Sequence, residues 1–135
     1  MKVIIKNIFL LFFLFSASVF AQQNRWLDAN LKETDQLNSV YYTIISSDAS
    51  EENYFYKSGK IFRKFKYSSQ KLSPNFSAKF SEFYETGALK VSGKYENGFK
   101  EGIWKTYYKN GKMKERGKYK SGEKVGIWKA FYKKL

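Results

Sequence analysis

The chain has no cysteine and no histidine among its 135 residues, and its one proline is Pro74. Without cysteine no disulfide staples the fold, so stability rests on the core alone. The two absences also remove thiol nucleophiles, imidazole general bases and the commonest transition-metal ligands. Carboxylate pairs are missing too. Glu82, Glu85, Glu96, Glu101, Glu115 and Glu123 stand at no spacing that sets one against another as acid and base. The glycines follow a repeat and precede no helix, so no phosphate-cradling loop is present. The expectation is a non-catalytic protein without metal or cofactor.

Long apolar runs are scarce as well, and the longest opens the chain. Met1–Ala21 reads MKVIIKNIFLLFFLFSASVFA. Lys2 and Lys6 form a basic start, Ile8–Phe15 is unbroken apolar sequence, and Val19 and Ala21 stand at the −3 and −1 positions of a cleavage site. The apolar run falls well short of the roughly 20 residues a spanning helix needs. Residues 1–21 therefore read as a cleaved signal peptide, and no cysteine follows to mark a lipoprotein. The mature chain is expected in the periplasm, at the cell envelope or outside the cell.

Charge is abundant and lopsided. Gln22–Asn53 holds two basic residues against six acidic, whereas Tyr54–Leu135 holds 21 basic against six acidic. Such a basic tract first suggests nucleic acid, which an exported protein does not meet. Anionic lipid, lipopolysaccharide, acidic glycan or an acidic protein are the partners left.

The basic part is a repeat. Phe83–Thr106 (FYETGALKVSGKYENGFKEGIWKT) laid over Tyr107–Ala130 (YYKNGKMKERGKYKSGEKVGIWKA) shares 12 of 24 positions. Gly87/Gly111, Gly93/Gly117, Tyr95/Tyr119, Gly98/Gly122, Gly102/Gly126 and Trp104/Trp128 define it. A third copy starts at Phe131–Tyr132. A worn copy over residues 54–82 starts at Phe55–Tyr67 (FYKSGKIFRKFKY), runs four residues long through an insertion containing Pro74, and puts Phe80 in the tryptophan place. Stacked units of this length share a core.

Each unit reads as two short strands. Asn97-Gly98 and Asn110-Gly111 are tight-turn signals of type I′, which needs positive φ at both central residues. Along Lys112–Tyr119 the side chains alternate: Lys112, Lys114, Arg116 and Lys118 on one face, Met113, Glu115, Gly117 and Tyr119 on the other. Ala88–Tyr95 sets Lys90 and Lys94 against Leu89, Val91, Gly93 and Tyr95, and Trp104, Thr106 and Tyr108 share a face of the partner strand. Gly93 and Gly117 leave room for an aromatic ring to lie flat on the backbone. In the repeated Gly-Ile-Trp-Lys, the glycine is expected to permit the turn and the tryptophan to fill the shared core. The aromatics Tyr84, Tyr95, Trp104, Tyr108, Tyr119, Trp128, Phe131 and Tyr132 are expected to pack as that core. The fold expected is an all-β antiparallel meander of stacked hairpins in one twisted sheet, aromatic on one face and lysine-rich on the other. Ser39–Ser47 reads as a further strand pairing with Tyr54–Lys57, and the N-terminal part of residues 22–53 as a cap, either short helix or extended strap.

The stretch GKMKERGKYKSGEKVGIWKAFYKK (Gly111–Lys134) resembles the bacterial MORN-repeat-variant family, whose repeat runs approximately YYxNGxLKxxGxYxNGKxxGxWKxYY. The likeness covers Phe83–Leu135 well and Phe55–Tyr84 weakly, where Phe65 replaces a repeat glycine and the Gly-x-Trp is absent. RWLDANLKETDQLNSVYYTII (Arg25–Ile45) is similar to the lead-in of exported members. The resemblance implies a β-hairpin array, a link to membranes or scaffolding, and a family label of antitoxin component. A toxin inhibitor has only that label behind it, because toxins are usually neutralised in the cytoplasm.

Two functional surfaces follow. One is a protein-interaction or self-association surface, with the final strand Gly126–Leu135 as an open edge. The other is an anion-binding face made of Lys60, Lys64, Lys66, Lys90, Lys94, Lys112, Lys114, Arg116 and Lys118, which otherwise simply solvate the sheet and guard its edges.

Overall fold

The computed structural model describes residues 24–68 and 76–132. The leader and its cleavage site, Pro74 with most of the insertion, and residues 133–135 lie outside the described residues. Nine strands follow in chain order: β1 Arg25–Leu27, β2 Tyr41–Ile45, β3 Glu51–Tyr56, β4 Ile61–Tyr67, β5 Ser77–Phe83, β6 Leu89–Glu96, β7 Phe99–Tyr107, β8 Met113–Lys120 and β9 Glu123–Ala130. They form one sheet in the order β1 to β9, each antiparallel to its neighbour, and no described residue is helical. The expected open hairpin meander is the fold.

Turn chemistry sets the spacing. Asn97-Gly98 (φ 50° and 80°) and Ser121-Gly122 (φ 50° and 87°) are the two-residue turns with both central residues left-handed. The Asn110-Gly111 turn differs from expectation, because only Gly111 (φ 79°) has positive φ there. Gly111 N–H bonds the Tyr108 carbonyl at 2.9 Å and Tyr108 N–H bonds the Lys112 carbonyl at 2.8 Å. This is a three-residue loop closed by a glycine bulge, repeated at Tyr84–Ala88 and Tyr56–Lys60. From β5 onward long and short turns therefore alternate.

Gly102 and Gly126 do not make turns, as the sequence suggested; they sit inside β7 and β9. Between the pairs Ser92↔Lys105 and Lys94↔Glu101, β7 spans four residue steps against two on β6. β9 shows the same excess between Arg116↔Lys129 and Lys118↔Val125. Gly102 (φ 70°) and Gly126 (φ 64°) supply the left-handed conformation this bulge needs. The bulge swings the following tryptophan onto the glycine of the preceding strand. A methyl built on Gly93 would overlap the Trp104 indole, and one on Gly117 the Trp128 indole. β4 and β5, which lack Gly-x-Trp, pair in unbroken register from Arg63↔Glu82 to Tyr67↔Ala78.

The core is a row of rings crossing the sheet. Trp104, 2% exposed, meets Phe80, Tyr95 and Tyr119 at 5.5, 5.2 and 5.8 Å between centroids. The two tyrosines stand edge-on to it, the arrangement the ring quadrupoles favour. Trp104 Nε1 donates to the Lys94 carbonyl at 3.2 Å. A second ladder joins neighbouring repeats: Tyr56, Tyr84 and Tyr108 donate their hydroxyls to the carbonyls of Phe83, Tyr107 and Phe131 at 3.1, 2.8 and 3.0 Å. Phe131 and Tyr132, expected in the core, are instead exposed, Tyr132 at 91%. No described strand lies beyond β9 to cover them.

At the other end, the pairing of Ser39–Ser47 with the segment after it appears as β2 against β3, with Tyr41 opposite Tyr56. Of the two forms expected for the cap, the extended one is present. β1 pairs with β2 from Arg25↔Thr43 to Leu27↔Tyr41, and Leu27 is buried. Trp26, Tyr42 and Phe55 stack at 5.4 and 5.0 Å on the side away from Trp104, so at this end of the sheet rings pack on both faces.

Candidate interaction surfaces

The nine candidate cations do not form one ladder. Lys60 and Lys112 lie in the long turns, just ahead of β4 and β8. Lys90 and Lys114 are the extra residues at the register shifts between Glu82 and Phe83 and between Thr106 and Tyr107. A bulge breaks the two-residue alternation, so neither follows the face read for it. Lys90 Nζ stands 2.7 Å from Glu82 Oε1 on the aromatic face and 5.8 Å from the Tyr84 ring. Lys114 lies 5.8 Å over the Tyr108 ring, its repeat equivalent.

On the outer face Lys64 and Lys66 are held by Glu51 at 2.9 and 3.7 Å, and Lys94 by Glu96 at 3.3 Å. That leaves Arg116 and Lys118. Cross-strand pairing adds residues that reading each hairpin's first strand alone passed over. Lys105 lies opposite Arg116, which lies opposite Lys129. Both lysines belong to the repeated Gly-Ile-Trp-Lys, which was the signal available. Among the described residues none of Lys79, Lys105, Arg116, Lys118 and Lys129 has a carboxylate within ion-pair distance. Beside them Ile103 and Ile127 stand 47% and 86% exposed. Ile103, Arg116, Lys118, Val125, Ile127 and Lys129 line a shallow groove of about 350 Å³.

The second feature is the outer edge of β9, an eight-residue strand that no described residue pairs. It begins at Glu123, ahead of the Gly126 read from sequence. Its packing is looser than that of β7. Trp128 meets Tyr119 at 5.1 Å and lies under the Lys124 ammonium at 3.9 Å, and its Nε1 has no hydrogen-bond partner.

A third cluster lies on the aromatic face. Glu82, 7% exposed, accepts from Arg63 Nε and from Lys90 Nζ, each at 2.7 Å. Burial pushes its carboxyl up, but the hydrogen bonds from Lys90 and Arg63 outweigh burial and hold it below the ordinary value, while Glu82 raises Lys90 in return. In the N-terminal part Glu52 accepts from the Tyr54 and Tyr67 hydroxyls at 3.0 and 2.8 Å. Burial and the adjacent carboxylate push Tyr54 up to about 12. Other carboxylates are tied into the scaffold: Glu101 accepts from Ser121 N–H at 2.8 Å, and Glu115 pairs with Lys124 at 3.3 Å. Among the described residues no group of three or more Asp or Glu is placed to hold a metal ion, and no helix is long and apolar enough to cross a membrane.

The fold thus defines an open single-sheet hairpin-repeat protein. No protein-family model, curated protein or solved structure matches the chain.

Proposed function

We propose that this chain is a non-catalytic, exported interaction module of the MORN-variant kind, and that it engages a protein partner by accepting a strand onto β9. The observation that carries the reading is internal to the repeat. β7 and β9 share the same Gly-Ile-Trp-Lys, the same glycine bulge toward the preceding strand and the same lysine over the tryptophan. The outer edge of β7 nevertheless pairs with β8 in unbroken register from Gly102↔Tyr119 to Thr106↔Glu115. Neither the bulge nor the lysines block that edge, so β9 offers a partner the edge that β7 offers β8. Main-chain hydrogen bonds supply the affinity of such strand addition and alternate side chains its selectivity.

The test uses the strand that β7 accepts. A peptide of residues 113–120 is titrated into the protein, beside two peptides N-methylated at alternate residues in the two possible phases. Strand addition predicts that the unmethylated peptide binds at about 0.5 M salt as well as at low salt. One N-methyl phase should abolish binding and the other leave it. Loss in both phases, or no binding combined with a monomer at all concentrations, refutes the reading.

The Lys105–Arg116–Lys129 row with Ile127 beside it favours a second reading, adhesion to an anionic bilayer or acidic glycan. Each basic residue near an anionic surface contributes roughly 1 kcal/mol. Co-sedimentation with anionic vesicles that disappears at high salt and weakens about fivefold in Arg116→Gln supports it; equal binding to neutral vesicles counts against it.

A further inference from the structure

On the aromatic face a pocket of about 190 Å³ opens between β4, β5, β6 and β7. Phe65, Phe80, Tyr95 and Trp104 form its apolar lining, and Arg63 and Lys100 bring positive charge to it. Four observations distinguish it from a dent in the core.

Its charges do not cancel. Glu82 is the only carboxylate in the lining, and Arg63 and Lys90 already hold it. Lys100 has no carboxylate partner among the described residues; its ammonium rests over the Trp104 and Tyr119 rings at 4.6 and 5.0 Å. Arg63 spends only its Nε on Glu82, so both Nη groups keep their donors. Three of its members, Arg63, Glu82 and Phe65, are also foreign to the repeat, whereas Lys90 and Lys100 recur as Lys114 and Lys124. At the place of Arg63 later copies have Val91 and Glu115, at that of Glu82 Thr106 and Ala130, and at that of Phe65 Gly93 and Gly117. At those places the last copy has only the half-exposed Glu115–Lys124 pair, and a buried ion cluster contributes little net stability over apolar residues of like volume.

We propose that this pocket binds one flat apolar ring carrying a single carboxylate, a small aromatic monocarboxylate. The carboxylate suits the paired Nη donors of Arg63, which match it bidentately, with Lys100 moving off the rings to join it. The ring suits the Phe65, Phe80 and Tyr95 walls, since aromatic groups pack edge-on or offset against one another. The lining holds few polar groups beyond these charges, too few to satisfy the hydroxyls of a sugar. The volume is below the roughly 300–1,000 Å³ of sites for drug-sized ligands and takes a single ring. The pocket uses no residue of β9, so the proposal is independent of strand addition.

The experiment is a titration of the mature chain with benzoate, followed by backbone amide shifts and tryptophan fluorescence, with benzamide as the neutral isostere and acetate as the ringless acid. Benzoate should saturate with a Kd of about 1 mM or tighter, moving the amides around Arg63, Tyr95 and Lys100. Benzamide and acetate should each bind at least about tenfold more weakly. Lys100→Gln leaves the Arg63–Glu82–Lys90 cluster whole and should weaken benzoate about tenfold with the fold intact; Arg63→Gln should weaken it further. Arg116→Gln, on the opposite face, should change nothing. Equal binding of benzamide, indifference to Lys100→Gln, shifts confined to the Arg116 face, or no saturation would each overturn the proposal.

Discussion

Replacing Gly93 with alanine isolates the contact on which the array is built. A β-carbon there would lie within 2.7 Å of three ring carbons of Trp104, whereas carbons in contact normally stand about 3.5–4.0 Å apart. The indole must retreat by roughly an ångström or more. Phe80, Tyr95 and Tyr119 crowd its sides and Lys100 lies over it, so it can shift only by breaking these contacts and moving into the pocket it lines. Overpacking of this kind costs about 1–3 kcal/mol, and expelling the indole altogether costs about 3–5 kcal/mol. Gly93 does not have positive φ, so alanine adds no backbone strain; its stiffer unfolded chain even returns about 0.4–1 kcal/mol. The net expected loss is about 2–3 kcal/mol. Gly117→Ala makes the same overlap with Trp128, but no described strand lies beyond β9, so that ring can lift away, for a loss of about 1 kcal/mol or less. Urea unfolding followed by circular dichroism measures both. Equal losses for the two variants, or a Gly93→Ala protein as stable as the parent, would refute the idea that rings seated on glycines hold the repeats together.

Trp104→Ala should likewise cost more than Trp128→Ala, by about 2 kcal/mol on the same urea curves, because Trp104 has repeats on both sides. Tyr84→Phe removes the hydroxyl bond to the Tyr107 carbonyl and should cost about 0.5–1.5 kcal/mol; Tyr132→Phe should leave the melting temperature unchanged. Stability should fall as acid is added. The Glu82 carboxyl is held below its ordinary value of 4.5 by Lys90 and Arg63 against the effect of burial. Its contribution is therefore full above pH 4.5 and is lost as pH drops through the folded value. Glu82→Gln should flatten the pH dependence of the melting temperature below pH 4.5, and an unchanged slope would show that other carboxylates carry it.

Much of this protein was legible because the repeat writes local rules twice. The 24-residue period and the Asn97-Gly98 turn depend on backbone conformations that neighbouring residues determine, and Gly93 and Gly117 were legible as seats for rings because they carry no side chain. What escaped depends on counting residues across strands. Period-two reading put Lys90 and Lys114 with the outer lysines, but a register shift reverses parity for one residue, and that shift exists only when β5 meets β6 and β7 meets β8. The glycine of Gly-Ile-Trp-Lys looked like a turn residue because positive φ serves turns and bulges alike; only the pairing of β6 with β7 distinguishes them. Lys105 and Lys129 became a row with Arg116 only through three strands 11 to 13 residues apart in the chain.

Sequence alone determined the repeat, the places of the hairpin turns and the glycines bare enough to lie under a ring, since these follow from φ preferences and side-chain size over a few residues. Tertiary structure decided which charges are neutralised, which face each bulged lysine takes, and that Arg63, Glu82 and Lys100 meet around one pocket. The reason is physical: charge pairing and cavities arise from side chains on separate strands, and their distances are set by register and twist, which no single strand contains.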